Sequence, residues 1–350
     1  MDTATLSKLT LEVGPSGFED RVIRTVISMI RNHVDEVNVD NMGNLIARIG
    51  NGPFKLMVSA HADEVGVMVS HVDQRGFIKV VPIGGIDPWV MIEQEIVFMG
   101  RNGDVYGTVG VDPPHLRREK PPSRFEELYV DAGFTSNDEA SKAGILPGVA
   151  GTFAGSFRER GNVVISKALD NRVGCSVLVD LAKEANEIVT GDLSLYLVWN
   201  TQEEVGLRGI NAAVNAINPN MAIVVETTVA ADIPANPESE WVTRIGNGAA
   251  IRALDRSMIT NPRLLSAVLE LASSRGVKYQ IQVNPYGGTD AGSIHVHGTG
   301  VPTVVVSTPA RYIHTPHSVI NLNDADQVKS LVNLIVREHN VLSNAIKIQV

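Results

Sequence analysis

An α/β fold is predicted, with a mostly parallel sheet covered by helices and a small all-β module inserted into it. Three observations predict it. Apolar runs of strand length, at 56–60, 193–199 and 222–225, alternate with segments of helical period. From about residue 67 to 160 that alternation gives way to short strand-like runs parted by Gly and Pro. The chain has 350 residues, more than one core normally organises, since cores stop growing near ~250–300 residues. The predicted division is an α/β domain of residues 1–66 and 161–350, with an inserted β domain at 67–160.

The elements follow in order. The opening reads as helical. Ser16 and Glu19 have the spacing of a capping box, and Val22, Val26 and Ile30 repeat at four-residue intervals behind it. Val37 and Val39, the turn Asp40-Asn41-Met42-Gly43, then Leu45 and Ile46 read as a hairpin. The run 56–60 ends at His61 and suits a strand buried on both faces. Inside the module, 77–81 and 95–99 read as strands and the Pro-rich stretch 112–122 as a loop. Beyond it, 163–165 leads into a helix near 173–185 that is apolar nearly all round, hence buried. The runs 193–199 and 222–225 are central strands. Asn261-Pro262 starts a helix, as cap and first-turn proline. Val328, Leu331, Val332 and Ile335 mark a final amphipathic helix.

Composition narrows the function. Apolar residues make up 44% and charged residues 20%, which excludes a disordered chain. No run approaches the ~20 apolar residues of a membrane span. No basic stretch precedes an apolar one at the start, so no secretory signal is expected. The single cysteine, Cys175, fits a reducing compartment; a cytoplasmic location is expected. A net charge of -9 disfavours nucleic-acid binding.

Acids and histidines collect where strands end. His61 and Asp63 follow the run 56–60, Asp170 follows 163–165, and Glu203 and Glu204 follow 193–199. Glu226 ends 223–225, and His314 follows 304–306 across a short loop. Open α/β sheets bind ligands beyond the carboxyl ends of their strands. Carboxylates converging there resist ionisation unless a cation neutralises them. Two imidazoles with three or more carboxylates suit a pair of ions such as Zn²⁺, Co²⁺ or Mn²⁺. Adjacent Glu203 and Glu204 point in different directions, so one can hold metal while the other faces a water. Asp63 is placed to orient the ring of His61.

Other residues were weighed and set lower. His71-Val72-Asp73 repeats the pattern of His61 and Asp63 inside the module and reads as surface. His295 and His297 would share a strand face without a carboxylate cluster. His317 could compete with His314, and His115 reads as exposed. Cys175 reads as a buried hydrophobe. The Gly-rich run 287–292 lacks the Lys-Ser/Thr of a phosphate loop. It reads as a turn near the site, with Asp290, Gly288 and Thr289 as candidate substrate-binding positions.

Taken together, these motifs resemble the M42 metallo-aminopeptidases. The matches are Gly14-Pro15-Ser16-Gly17, Ser59-Ala60-His61-Ala62-Asp63-Glu64-Val65-Gly66, Ala168-Leu169-Asp170-Asn171-Arg172, Gln202-Glu203-Glu204-Val205-Gly206, Gly288-Thr289-Asp290-Ala291 and Arg311-Tyr312-Ile313-His314. Glu127-Leu128-Tyr129-Val130-Asp131-Ala132-Gly133 matches inside the module. The resemblance spans essentially the whole chain. It implies a zinc-peptidase-like catalytic domain and a PDZ-like dimerisation module, with dimers assembling into a hollow homododecamer. It implies two divalent ions per subunit, Zn²⁺ or Co²⁺. His61, Asp170 and Glu226 would hold one, and Glu204 and His314 the other, with Asp170 bridging. Many members carry Asp where this chain has Glu226. The implied activity is removal of N-terminal residues from short peptides by a hydroxide held between the ions, with Glu203 as general base and Asp63 orienting His61. A dimetal deacylase of N-acylated amino acids is the second reading, and a non-catalytic peptide-binding protein the third.

Overall fold

The computed structural model describes residues 1–113, 115–116 and 122–347. The Pro-rich loop expected at 112–122 therefore lies partly outside the described residues. Among them, an 11-stranded sheet forms the larger body. Its order runs Glu36–Val39, Leu45–Ile49, Leu193–Asn200, Phe54–His61, Met221–Val229, Thr303–Arg311, Ser318–Asn321, Val163–Ser166, Arg158–Arg160. Ala249–Asp255 adds to Thr303–Arg311, and Tyr279–Asn284 pairs with Ala249–Asp255.

The sheet is mixed, which corrects the mostly parallel expectation. Its centre is parallel across Leu193–Asn200, Phe54–His61, Met221–Val229 and Thr303–Arg311. Hairpins and returning strands make both flanks antiparallel. Helix-separated apolar runs report only the centre, because a hairpin at the rim leaves no helical segment to count. The hairpin of Glu36–Val39 with Leu45–Ile49 forms as expected.

Alternation along Met221–Val229 feeds two cores. Ile223 and Val225 pack under Leu169–Glu184, Asp20–Ile30 and Leu322–Arg337 on one face. Ala222 and Val224 pack under Arg208–Ile217 on the other. Leu169–Glu184 is buried along most of its length, as its all-round apolar surface predicts. Pro262–Ser274 starts on Asn261, whose side chain accepts from Arg263 N and Leu264 N. The capping box expected at Ser16 does not form. Ser16 Oγ donates to Asp63, and Asp20–Ile30 begins without a side-chain cap, because the cluster beyond the sheet recruits Ser16 and Glu19 instead.

The inserted segment closes into a barrel of Gly66–Val72, Ile78–Ile83, Val130–Asp131, Gly103–Val109, Glu95–Gly100 and Ala150–Phe153. It holds its own core, with Val67, Val69, Ile78, Phe98 and Phe153 buried inside. The module is not all-β: Pro88–Met91 and Asn137–Lys142 are helical. Asp87 and Ser136 cap them, short local signals that strand counting passes over. Arg158–Arg160, expected inside the module, is an edge strand of the large sheet.

Candidate metal centre

The parallel centre delivers side chains to one edge. His61 closes Phe54–His61 and pairs in register with Asn200. Two residues past the last pair of Phe54–His61 with Met221–Val229, Val224 with Ser59, stand His61 and Glu226. Glu226 does not end its strand, as expected, but sits inside it opposite Ser307. Pairing with Thr303–Arg311 carries the strand on to Val229. Glu203 and Glu204 lie in the turn after Leu193–Asn200. Asp170 and Asn171 have non-helical backbone angles within Leu169–Glu184, and the peptide between them is cis. His314 sits in the loop after Thr303–Arg311 at φ 60°.

Six of these side chains meet. His61 Nε2 lies 3.3 Å from Asp170 Oδ1 and 3.3 Å from Glu226 Oε1. His314 Nε2 lies 3.5 Å from Asp170 Oδ2 and 3.2 Å from Glu204 Oε2. Donor atoms of His61, Asp170 and Glu204 fall within 4.8 Å of one another. Glu203 lines the same cleft, which has a volume of about 210 Å³. These separations are long for hydrogen bonds between charged groups, which run about 2.7–2.9 Å. They match the edge of a tetrahedron around an ion: ligands held ~2.0–2.1 Å from zinc stand about 3.3–3.4 Å apart. Asp170 turns one oxygen to each triad. Glu226 Oε2 is buried with no partner. The donor set, its spacing and that orphan oxygen fit metal binding better than a self-contained ion pair.

Outer contacts fix the donors. Asp63 is fully buried, and Oδ1 lies 3.4 Å from His61 Nδ1. It accepts from Ser16 Oγ at 2.6 Å, Glu203 N at 3.0 Å and Glu204 N at 3.1 Å. One carboxylate therefore faces the His61 ring and anchors the turn carrying both glutamates. His314 Nδ1 lies 2.7 Å from the Gly85 carbonyl of the inserted segment. Oriented imidazoles of this kind hold metals best.

Electrostatics show an excess of carboxylate. Burial alone would lower both imidazoles. Glu226, Asp170 and Asp63 instead hold His61 well above its usual range, and Glu204 and Asp170 raise His314 to about 11. Burial raises Glu203 well above the carboxylate range, and Asp290, Glu204 and Glu226 reinforce it against His61. Burial likewise raises Glu204, helped by Asp170. Asp170 falls below its usual range against its burial, because both imidazoles bond to it. Protons so held are what divalent cations displace on binding.

The remaining candidates stand elsewhere. His71 is exposed and Asp73 pairs with Arg75. His295 and His297 follow the short helix Ala291–Ile294 rather than lying in a strand, and His295 Nδ1 meets the Ala291 carbonyl. Gly292, Gly298 and Gly300 flank them, turn signals that outweigh the short alternation of residues 294–297. His317 and His115 are exposed. Cys175 is buried, its thiol raised to about 12 by that burial. Gly288 and Thr289 line the cleft, whereas Asp290 is buried and accepts from Asn200 Nδ2 at 2.6 Å. Sequence reading missed Ser16 and the Gly85 carbonyl as supports, and Arg252 as a wall of the cleft. It also missed the ion cluster of Glu64, Lys167 and Arg172. Glu64 adjoins Asp63 and Arg172 lies two residues after Asp170, but nothing in the sequence pairs them across the insertion.

A profile of the family described as M42 glutamyl aminopeptidase matches residues 43–331. A lysyl aminopeptidase of Pyrococcus furiosus is 34% identical, covering 97% of this chain and 97% of its own. Aminopeptidase APDkam598 from Desulfurococcus kamchatkensis superposes with a TM-score of 0.93 at 34% identity, over 99% of this chain and 98% of the other. The Pyrococcus horikoshii TET1 peptidase, described as assembling into a tetrahedron or a large octahedral shell, gives a TM-score of 0.87 at 28% identity. It covers 96% and 99% of the two chains.

Proposed function

The chain belongs to the M42 glutamyl aminopeptidase family and is a hydrolase of aminopeptidase type, and from that premise we propose that it removes N-terminal residues from short peptides with two divalent ions, Zn²⁺ or Co²⁺. The observation that carries this reading is the pair of donor triads sharing Asp170, His61 with Glu226 on one side and His314 with Glu204 on the other. When bound, such ions polarise the scissile carbonyl and lower the pKa of a water toward ~7.

The chain's own groups do the rest. Glu203 lines the cleft without serving either triad. It takes the proton of the attacking water and passes it to the leaving amine. Asp63 holds the backbone of Glu203 and Glu204 together, so base and ligand keep a fixed separation. Carboxylates lining the cleft favour a cationic α-amine over a capped one, which suits an aminopeptidase rather than a deacylase. In this reading the barrel is a PDZ-like dimerisation module, and the chain assembles as a homododecamer, as the shell-forming relative suggests.

The test is a panel of aminoacyl-nitroanilides and N-acetyl amino acids, run after chelation and after return of Zn²⁺ or Co²⁺. Hydrolysis of free-amine substrates should vanish with EDTA and return with metal. Cleavage of acetylated substrates alone would overturn the reading. Light scattering of the same sample measures the assembly.

A further inference from the structure

Resting on the two-ion reading above, we propose that the inserted barrel positions the second ion's ligands through Gly84 and Gly85. The first ion is then held by the sheet domain alone, and the second only while this barrel loop stays seated.

The ligands of the first ion are tied within the large sheet and its helices. Asp63 Oδ1 lies 3.4 Å from His61 Nδ1, and Thr227 N donates to Glu226 Oε1 at 2.9 Å. Asp170 is fixed by its neighbour. Asn171 is fully buried; its Nδ2 donates to the Val225 carbonyl at 2.8 Å, and its Oδ1 accepts from Thr227 Oγ1 at 3.2 Å. Asn171 thus grips the residues on either side of Glu226. None of these partners lies in the inserted segment.

The ligands of the second ion lean on the barrel. His314 stands in a loop at φ 60°, with its side chain 31% exposed. Among the described residues its Nδ1 has one hydrogen-bond partner, the Gly85 carbonyl at 2.7 Å. With Nδ1–H donated there, Nε2 keeps its lone pair toward Glu204 and Asp170. Gly84 lies against the other ligand: a Cβ there would stand 3.3 Å from Glu204 Cβ and 3.0 Å from Val65 Cγ1. Its φ of +80° also suits glycine. One dipeptide therefore touches both ligands. The next residue, Ile86, is buried in the barrel core, in the cluster that also holds Val65 and Met91. The loop is moored in the barrel and lies against the metal centre. An outer partner of a ligating histidine is worth about 10–100-fold in metal affinity, and here that partner sits on a body with its own core.

Calorimetric titration of the EDTA-stripped full chain with Zn²⁺, with elemental analysis after dialysis, gives the number of ions and their affinities. The wild type should take up two. His314→Ala removes a ligand outright and marks the step that belongs to the first ion. Gly85→Ala sets its Cβ 3.4 Å from the His314 ring, an ordinary contact, and should titrate like the wild type. Gly85→Val adds methyl groups beyond that Cβ, so ring and carbonyl must part. Its second step should weaken by about 10–100-fold, while the first stays where His314→Ala leaves it. Ile86→Ala loosens the mooring without touching the site and should weaken the same step by less. Two unchanged steps in Gly85→Val, or both steps weakened alike, would overturn the proposal and leave the two-ion reading standing. A wild type that takes up one ion would strike the two-ion reading. That ion's affinity then decides on the loop: it falls in Gly85→Val if the carbonyl aims His314, and no change overturns the proposal. Should Gly85→Val not melt cooperatively, Ile86→Ala decides alone.

Discussion

Two buried clusters of charge lie side by side beyond the same sheet edge, and they are built in opposite ways. In one, Lys167 Nζ stands 2.7 Å from both oxygens of Glu64, and Arg172 Nη2 3.5 Å from one of them. Gly14 N and Thr152 Oγ1 also donate to Glu64, each at 3.1 Å. Arg172 donates to the carbonyls of Leu9, Glu12 and Gly14. This cluster ties the N-terminal segment, the barrel and Leu169–Glu184 together using only its own cations. In the other, carboxylates outnumber imidazoles, the contacts stretch to 3.2–3.5 Å, and Glu226 Oε2 has no partner. The first holds two cations for one carboxylate and the second four carboxylates for two imidazoles; balance of charge, spacing and satisfaction separate an ion site from a strut.

The largest test of that contrast is Glu203→Gln. It should cut kcat by about 10²–10⁴-fold, the usual worth of a general base, while elemental analysis finds the metal content unchanged. Near-normal turnover would remove Glu203 from the mechanism.

Next in size is Lys167→Met. Removing one partner of a buried pair costs about 3–5 kcal/mol. The melting temperature in EDTA should fall by several degrees, while metal bound per folded chain stays the same. A variant that melts normally but loses metal would mean that the two clusters work as one. Adding Zn²⁺ gives the reciprocal check: it should raise the melting temperature of this variant and of the wild type by similar amounts.

Much of the donor cluster was legible because its residues follow apolar runs, and a parallel centre brings strand ends to one edge. His61, Asp170, Glu204, Glu226 and His314 needed only that rule to be suspected together. The partner cluster was not legible. Glu64, Lys167 and Arg172 lie more than 100 residues apart at their widest spacing, with the whole barrel between Glu64 and Lys167. Pairing across an insertion leaves no periodic trace. The mixed sheet escaped for a related reason: strand direction at the rims is set by hairpins and returns, which hydrophobic period does not encode. Ser16 was read as a helix cap because local spacing outranks distant demand in a sequence, whereas Asp63 outranks it in the fold.

Glu19 offers the smallest and sharpest test, because it belongs to neither cluster's cations. Its Oε1 accepts from Gly17 N at 2.7 Å and Gln202 N at 3.0 Å. Burial, then the charge of Asp63, raises its carboxyl to about 7. An acid raised in the fold leaves full stability below its unfolded value of 4.5 and loses it as pH climbs through about 7. Glu19→Gln keeps an acceptor oxygen for both N–H groups and removes the charge. In EDTA the variant should melt like the wild type near pH 4.5. At pH 8 it should be more stable, by on the order of 1–3 kcal/mol. Restoring Zn²⁺ should shrink that gain, since cations in the donor cluster relieve the repulsion that Asp63 transmits to Glu19. A variant less stable than wild type at pH 8 would mean that Glu19 is served by a cation after all, and the line between strut and ion site would have to be redrawn through the loop carrying Gln202.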